Sequence, residues 1–160
     1  MCRILFRGKQ VDDGNWVEGF YVCLNGTEHR IYSGYAETDC GDFYPDWSKI
    51  DSITLGSFTG LYDDNGKHIF EGDILKVESH DYGGDLFYGK VVCESAGCYV
   101  EYIDDYWHKR HLHKIGQISE WRDMGASGII RYQYELVGNA FDNPELLKKV
   151  YEIEEQNKSE

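Results

Sequence analysis

A chain of 160 residues with a formal charge of −13 and 29 acids against 16 Lys and Arg is long enough for one compact domain or two small subdomains sharing a core. The acidity argues against direct binding of nucleic acid, whose phosphates are held by clustered cations that displace counterions. No apolar run approaches the roughly twenty residues needed to span a bilayer, so no membrane partner is expected.

Aromatics make up 15% of the residues, and eighteen glycines stand against two prolines. Short aromatic strands joined by glycine turns describe a mainly β protein. Arg3 to Lys9 reads as a first strand and Asp12-Asp13-Gly14-Asn15 as its turn. Trp16 to Leu24 is the second strand, and Asn25-Gly26 carries the positive φ angles of a tight hairpin. His29 to Tyr32 returns as a third, completing a β-meander. From Ser33 to Asp46 the period breaks up, which predicts a long irregular loop. Its aromatics Tyr35, Phe43 and Tyr44, together with Trp47 and the later Trp107, are candidates for a binding surface.

Ile50, Ile53 and Leu55 resume an apolar pattern. Asp64-Asn65-Gly66 then predicts a hairpin turn, and Glu71-Gly72-Asp73 a second turn opening the strand Ile74 to Val77. Glu78 to Asp85 is polar. Leu86 to Glu94, Cys98 to Ile103, Leu112 to Ile118 and Ile129 to Val137 follow as strands, with no decided period over Glu120 to Ser127. This spacing suggests a small barrel or a strongly curved sheet. One helix closes the chain: Asn143 is an N-cap, Pro144 sits where its missing N–H costs nothing, and Glu145 complements the dipole. Leu146, Leu147, Val150, Tyr151 and Ile153 give that helix one broad apolar face.

The five cysteines, Cys2, Cys23, Cys40, Cys93 and Cys98, are an odd set without a C-x-x-C pair. They read as reduced thiols of a cytoplasmic protein. The charge in Met1 to Arg7 comes too early for a signal peptide. His111 and His113, two apart on a strand, would share a face, so with His108 or Asp105 they are the weak candidates for a metal. The weightier reading of the stretch Trp107 to His113 is a polar loop beside a strand. Asp63, Asp64, Asn65, Glu71 and Asp73 fail the calcium-loop spacing, since with Asp63 as the first ligand Lys67 falls at the fifth position, where another ligand belongs. Turn-forming Asx residues explain Asp63 and Asn65 better, and Asp73 is placed to bond nearby backbone amides. A cysteine–histidine pair drawn from Cys93 or Cys98 with His80 or His111 has nothing local to fix it. No catalytic residue and no cofactor is therefore expected.

Four blocks resemble the YopX family of phage and prophage proteins. These are Phe6-Arg7-Gly8-Lys9 with Trp16-Val17-Glu18-Gly19; the long run Thr59-Gly60-Leu61 to Asp73-Ile74; Glu135 to Asn139; and Asn143 to Leu146. Within them Asn65, Gly66, Glu71, Gly72, Asp73 and Pro144 mark turns and a helix start. The resemblance implies an all-β architecture with an SH3-like barrel in the C-terminal part, self-association through other parts, and expression inside a bacterial host. It implies no activity. The expected division is a β subdomain over 1–56, an SH3-like barrel over 57–141, and a helix and tail over 142–160. The expected function is a non-enzymatic interaction module whose partners are its own copies and a host or phage protein. An acidic mimic of nucleic acid is the second reading, and a metal-dependent enzyme the third.

Overall fold

A computed structural model describes residues 4–79, 86–95, 97–103, 110–115, 119–123, 126–130 and 132–147, giving only the backbone for 103, 119–123 and 126–130. The chain is mainly β and divides into two compact units between Phe58 and Thr59.

In the first unit, β1 (Phe6–Lys9), β2 (Trp16–Leu24), β3 (Glu28–Glu37) and β4 (Phe43–Lys49) form an antiparallel ladder. The start of β5 (Gly56–Tyr62) adds to the other side of β1. The meander expected from the sequence is present. Asn25 and Gly26 both adopt positive φ, 52° and 72°, and Thr27 N donates to Leu24 O at 3.2 Å to close the turn. β2 changes partner part-way, from β1 over Trp16 to Gly19 to β3 over Phe20 to Leu24. Gly19 sits at that change, where a Cβ would overlap the Tyr32 carbonyl. Only a residue without a side chain lets the two backbones come so close. Ile31 and Ile50 are the buried apolar centre of this unit.

The expected loop over Ser33 to Asp46 is instead a β-hairpin. Both strands run through it, and only residues 38–42 join them. Two features hid the strands from a period-2 reading. An extra residue in β3 shifts the register between Tyr32 and Gly34, which reverses the alternation beyond it. Pro45 lies in β4, which no other described strand flanks on its outer side, and an edge is where a strand tolerates proline.

In the second unit, β7 (Asp73–Ser79), β8 (Leu86–Glu94), β9 (Gly97–Ile103), β10 (Arg110–Lys114) and β13 (Tyr132–Asn139) make an antiparallel sheet in the order β10-β9-β8-β7-β13. β6 is the short strand His68–Phe70. β11 (Ser119–Asp123) and β12 (Ala126–Ile130) form a separate hairpin across the region whose period was undecided. The strand expected over Leu112 to Ile118 lies earlier, and the one expected over Ile129 to Val137 is divided between β12 and β13. Ile69, Leu75, Val77, Val91, Val100, Ile115 and Tyr134 form the core of the sheet. The ladder does not close into a barrel among the described residues. Of the expected helix, residues 144–147 form a first turn, with Leu146 N donating to Asn143 O at 3.0 Å. The apolar face beyond Leu147 lies outside the described residues.

The turn after β5 departs from a simple Asn-Gly hairpin. Gly66 has φ 80°, whereas Asn65 does not take a positive φ. Asp63 supplies what the second left-handed residue would have supplied. Its Oδ1 accepts from Asn65 N at 2.9 Å and Lys67 N at 2.8 Å, and its Oδ2 from Leu136 N at 3.2 Å. Asp64 adds a rung to β13: its N donates to Tyr134 O at 3.0 Å, and its Oδ2 accepts from Tyr134 N at 2.9 Å. The turn thus covers part of the free edge of β13. Asp73, fully buried, closes the second turn by accepting from Phe70 N at 2.8 Å.

Burial alone would raise the pKa of Asp63. The amides of Lys67, Leu136 and Asn65 outweigh burial and hold its pKa below the ordinary value. A carboxyl whose folded pKa lies below its unfolded one contributes fully above about pH 4. That contribution is lost as pH falls through the folded value. Asp63→Ala strands the Leu136 N–H beside the core, so urea unfolding at neutral pH should show a loss of roughly 2–4 kcal/mol. The variant should also lose less further stability than the parent between pH 5 and pH 2.

Candidate interaction surface

The register of β3 and β4 decides where the aromatics go. Tyr32 faces Trp47, and Tyr35 faces Pro45. Three residues apart on a regular strand, Tyr32 and Tyr35 would point to opposite faces; the bulge between them puts both on one. Their rings meet edge to face at 5.7 Å, and Tyr32 meets Trp47 at 5.0 Å. Ser33, the extra residue, donates through Oγ to Asp46 Oδ2 at 2.7 Å, which braces the bulge. Phe43 lies two and four residues from Pro45 and Trp47, so it shares their face. Phe20 joins from β2 opposite Tyr32.

This face presents large apolar side chains to solvent: Tyr35 is 70% exposed, Phe43 69%, Phe20 51% and Trp47 43%. Contiguous apolar surface of this kind marks interaction sites, and Tyr and Trp are the residues on which interface energies concentrate. Tyr32 is the half-buried centre of the group. Desolvation first, and the Tyr35 hydroxyl second, raise its phenol above the ordinary value, so it is a neutral hydrogen-bonding group at physiological pH. Arg30, paired with Glu28, and Lys49 stand opposite each other on the next rung and give the patch a charged rim.

Of the sequence candidates, Tyr35, Phe43 and Trp47 come together here. Tyr44, alternating with Phe43, points to the other face of β4, although it too is exposed. Trp107 lies outside the described residues. The sequence reading missed Phe20 and Tyr32. The Asn25-Gly26 turn fixes which residues of β2 and β3 oppose each other, so their pairing was within reach of a register count.

The histidines are placed as expected on one face of β10, but that face is the core side. His111 stacks on Tyr102 at 5.4 Å. His113 lies against Tyr132 at 4.3 Å and Phe87 at 5.6 Å, and its Nε2 is 3.0 Å from the Tyr134 hydroxyl. His113 is thus held in an aromatic cluster while His111 remains exposed beside Tyr102, and His108 and Asp105 lie outside the described residues. Among the described residues, no group of three His, Cys, Asp or Glu is placed to hold a metal.

A family model described as YopX protein matches residues 5–148. The chain belongs to the YopX family. No curated protein and no solved structure matches it. The YopX match takes in every strand described above and the helical turn at 144–147, so it draws on both units.

The reading of the cysteines as a reduced set requires correction. Cys93 and Cys98 are direct cross-strand partners in the β8–β9 hairpin and are joined as a disulfide, with Cα atoms 4.2 Å apart. Both pack against the core of the second unit. Sequence spacing does not reveal such a pairing, because it follows from hairpin register. Neither sulfur is then a free nucleophile, which removes the drawn pairs with His80 or His111. Cys23 and Cys40 are exposed free thiols. The loop closed by the bond is short, so opening it should cost about 2 kcal/mol. Unfolding free energies from urea titrations with and without a thiol reductant should differ by that amount in the parent and coincide in a Cys93→Ser/Cys98→Ser variant.

Proposed function

We propose that this chain is a non-enzymatic protein-interaction module of phage or prophage origin that self-associates inside its bacterial host. The observation that carries the proposal is the exposed aromatic face of β2, β3 and β4, centred on Tyr32 and Trp47. Its rings are already held in one arrangement by the bulge and by mutual contact. A preorganised aromatic patch loses little side-chain entropy on burial, which is what makes such patches effective anchors.

A second copy is the occupant we favour. β4 has no described strand on its outer side, and two identical edges meeting about a two-fold axis are self-complementary. Pro45 weakens an edge for continuous pairing, so the contact should rest on the rings more than on backbone hydrogen bonds. A host or phage protein bound by the same rings is the further partner class. We also take the second unit to be SH3-like. In support, the outermost strands of its sheet, β10 and β13, touch through His113 with Tyr132 and Tyr134. That contact requires a strongly curled sheet.

Light scattering across a concentration series should return a mass above that of one 18.5 kDa chain, rising with concentration. Trp47→Ala combined with Phe43→Ser should shift the midpoint of association upward by at least about tenfold and leave the circular dichroism unchanged. A single-chain mass at every concentration would refute self-association. An unaltered midpoint in the double variant would move the contact elsewhere.

A further inference from the structure

The aromatic rings occupy one face of β2 and β3. On the opposite face a thiol, a phenol and an imidazole come together. Cys23 and His29 are direct cross-strand partners, which puts their Cβ atoms about 5 Å apart. Tyr21, two residues before Cys23, shares their face. Its hydroxyl lies 2.6 Å from His29 Nδ1, and the two rings stack at 5.9 Å. The Phe6 ring, 5.4 Å from that of Tyr21, packs against it from β1.

The Tyr21 hydroxyl also meets the Cys23 thiol. Burial first, and this thiol second, raise the phenol above its ordinary value. A phenol is the stronger proton donor of the Tyr21–His29 pair and imidazole the better acceptor, so the tyrosine proton lies on the Nδ1 side. The phenolic oxygen is then left to accept from the Cys23 S–H. Nucleophile, proton carrier and base thus stand in one line, and the thiol at its outer end is exposed. Cys40 supplies the contrast. It is an equally free and exposed thiol, but its near neighbours in the turn are Asp39 and Asp42, whose charge opposes a thiolate.

We propose that Cys23 is a thiol-modification site, at which a small organic disulfide is taken up by exchange while His29 accepts the thiol proton through the Tyr21 hydroxyl. The proton on Sγ passes to the phenolic oxygen as the phenolic proton passes to Nδ1, leaving a thiolate beside an imidazolium. The thiolate attacks one sulfur of the disulfide, and the new S–S bond forms as the old one breaks. The expelled thiolate takes up the proton held by the imidazolium, so one thiol is consumed and one released. The site faces away from Tyr32 and Trp47, and its test does not depend on self-association.

The probe is bis(2-hydroxyethyl) disulfide, an uncharged reagent whose uptake is followed by mass spectrometry of the intact full-length chain. Cys2→Ser/Cys40→Ser leaves Cys23 as the free thiol, and Cys2→Ser/Cys23→Ser leaves Cys40. Near pH 7, Cys23 should react at least about tenfold faster than Cys40. Tyr21→Phe, which keeps the ring against Phe6, and His29→Asn should each bring Cys23 down to the rate of Cys40, with circular dichroism unchanged. The advantage of Cys23 should vanish by about pH 10, where solvent ionises exposed thiols without help. Equal rates for the two thiols near neutrality, or an unaltered Cys23 rate in Tyr21→Phe, would overturn the proposal. So would an advantage that persists undiminished at alkaline pH, since simple accessibility would then account for it.

Discussion

The carboxylate of Asp63 is the contact on which the second unit most depends. One buried side chain satisfies two amides of its own turn and one amide of β13, more than seventy residues away. A backbone carbonyl could not do this, since its direction is fixed by the chain. A carboxylate offers two oxygens and about four acceptor sites, enough to serve a turn and a strand edge together. Asp64 repeats the device one residue on, and the pair converts a surface turn into a partner for β13. Asp73 performs the local version at the next turn. The acids that most resemble metal ligands in the sequence are thus occupied in holding backbone.

The first unit rests on a different constraint. Close approach at Gly19 lets β2 pass from one partner to another, and a single extra residue in β3 decides where the aromatic side chains point. Without that residue, Tyr35 would lie on the face opposite Tyr32 and Trp47. The exposed patch is therefore a product of register more than of composition.

The two units also differ in how their aromatics are used. In the second, Phe87, Tyr132 and Tyr134 surround the half-buried His113, while His111 stacks on Tyr102 and stays exposed. In the first, rings of the same kinds remain largely in solvent. Aromatic content alone cannot distinguish the two cases, because an aromatic side chain serves equally well in a core and at an interface.

Local chemistry was legible in the sequence by itself. Asn25-Gly26, Gly66, Gly72 and Pro144 announced their turns and helix start, because positive φ and a missing N–H are properties of single residues. The strands β2, β7, β8 and β9 could be read from β-branched and aromatic runs, and the family from four blocks of turn and strand residues. Three things needed the tertiary structure: the hairpin over Ser33 to Asp46, the bond between Cys93 and Cys98, and the long reach of Asp63 to Leu136. Each depends on which strands lie side by side and in what register, and that is settled by packing between residues far apart in the chain.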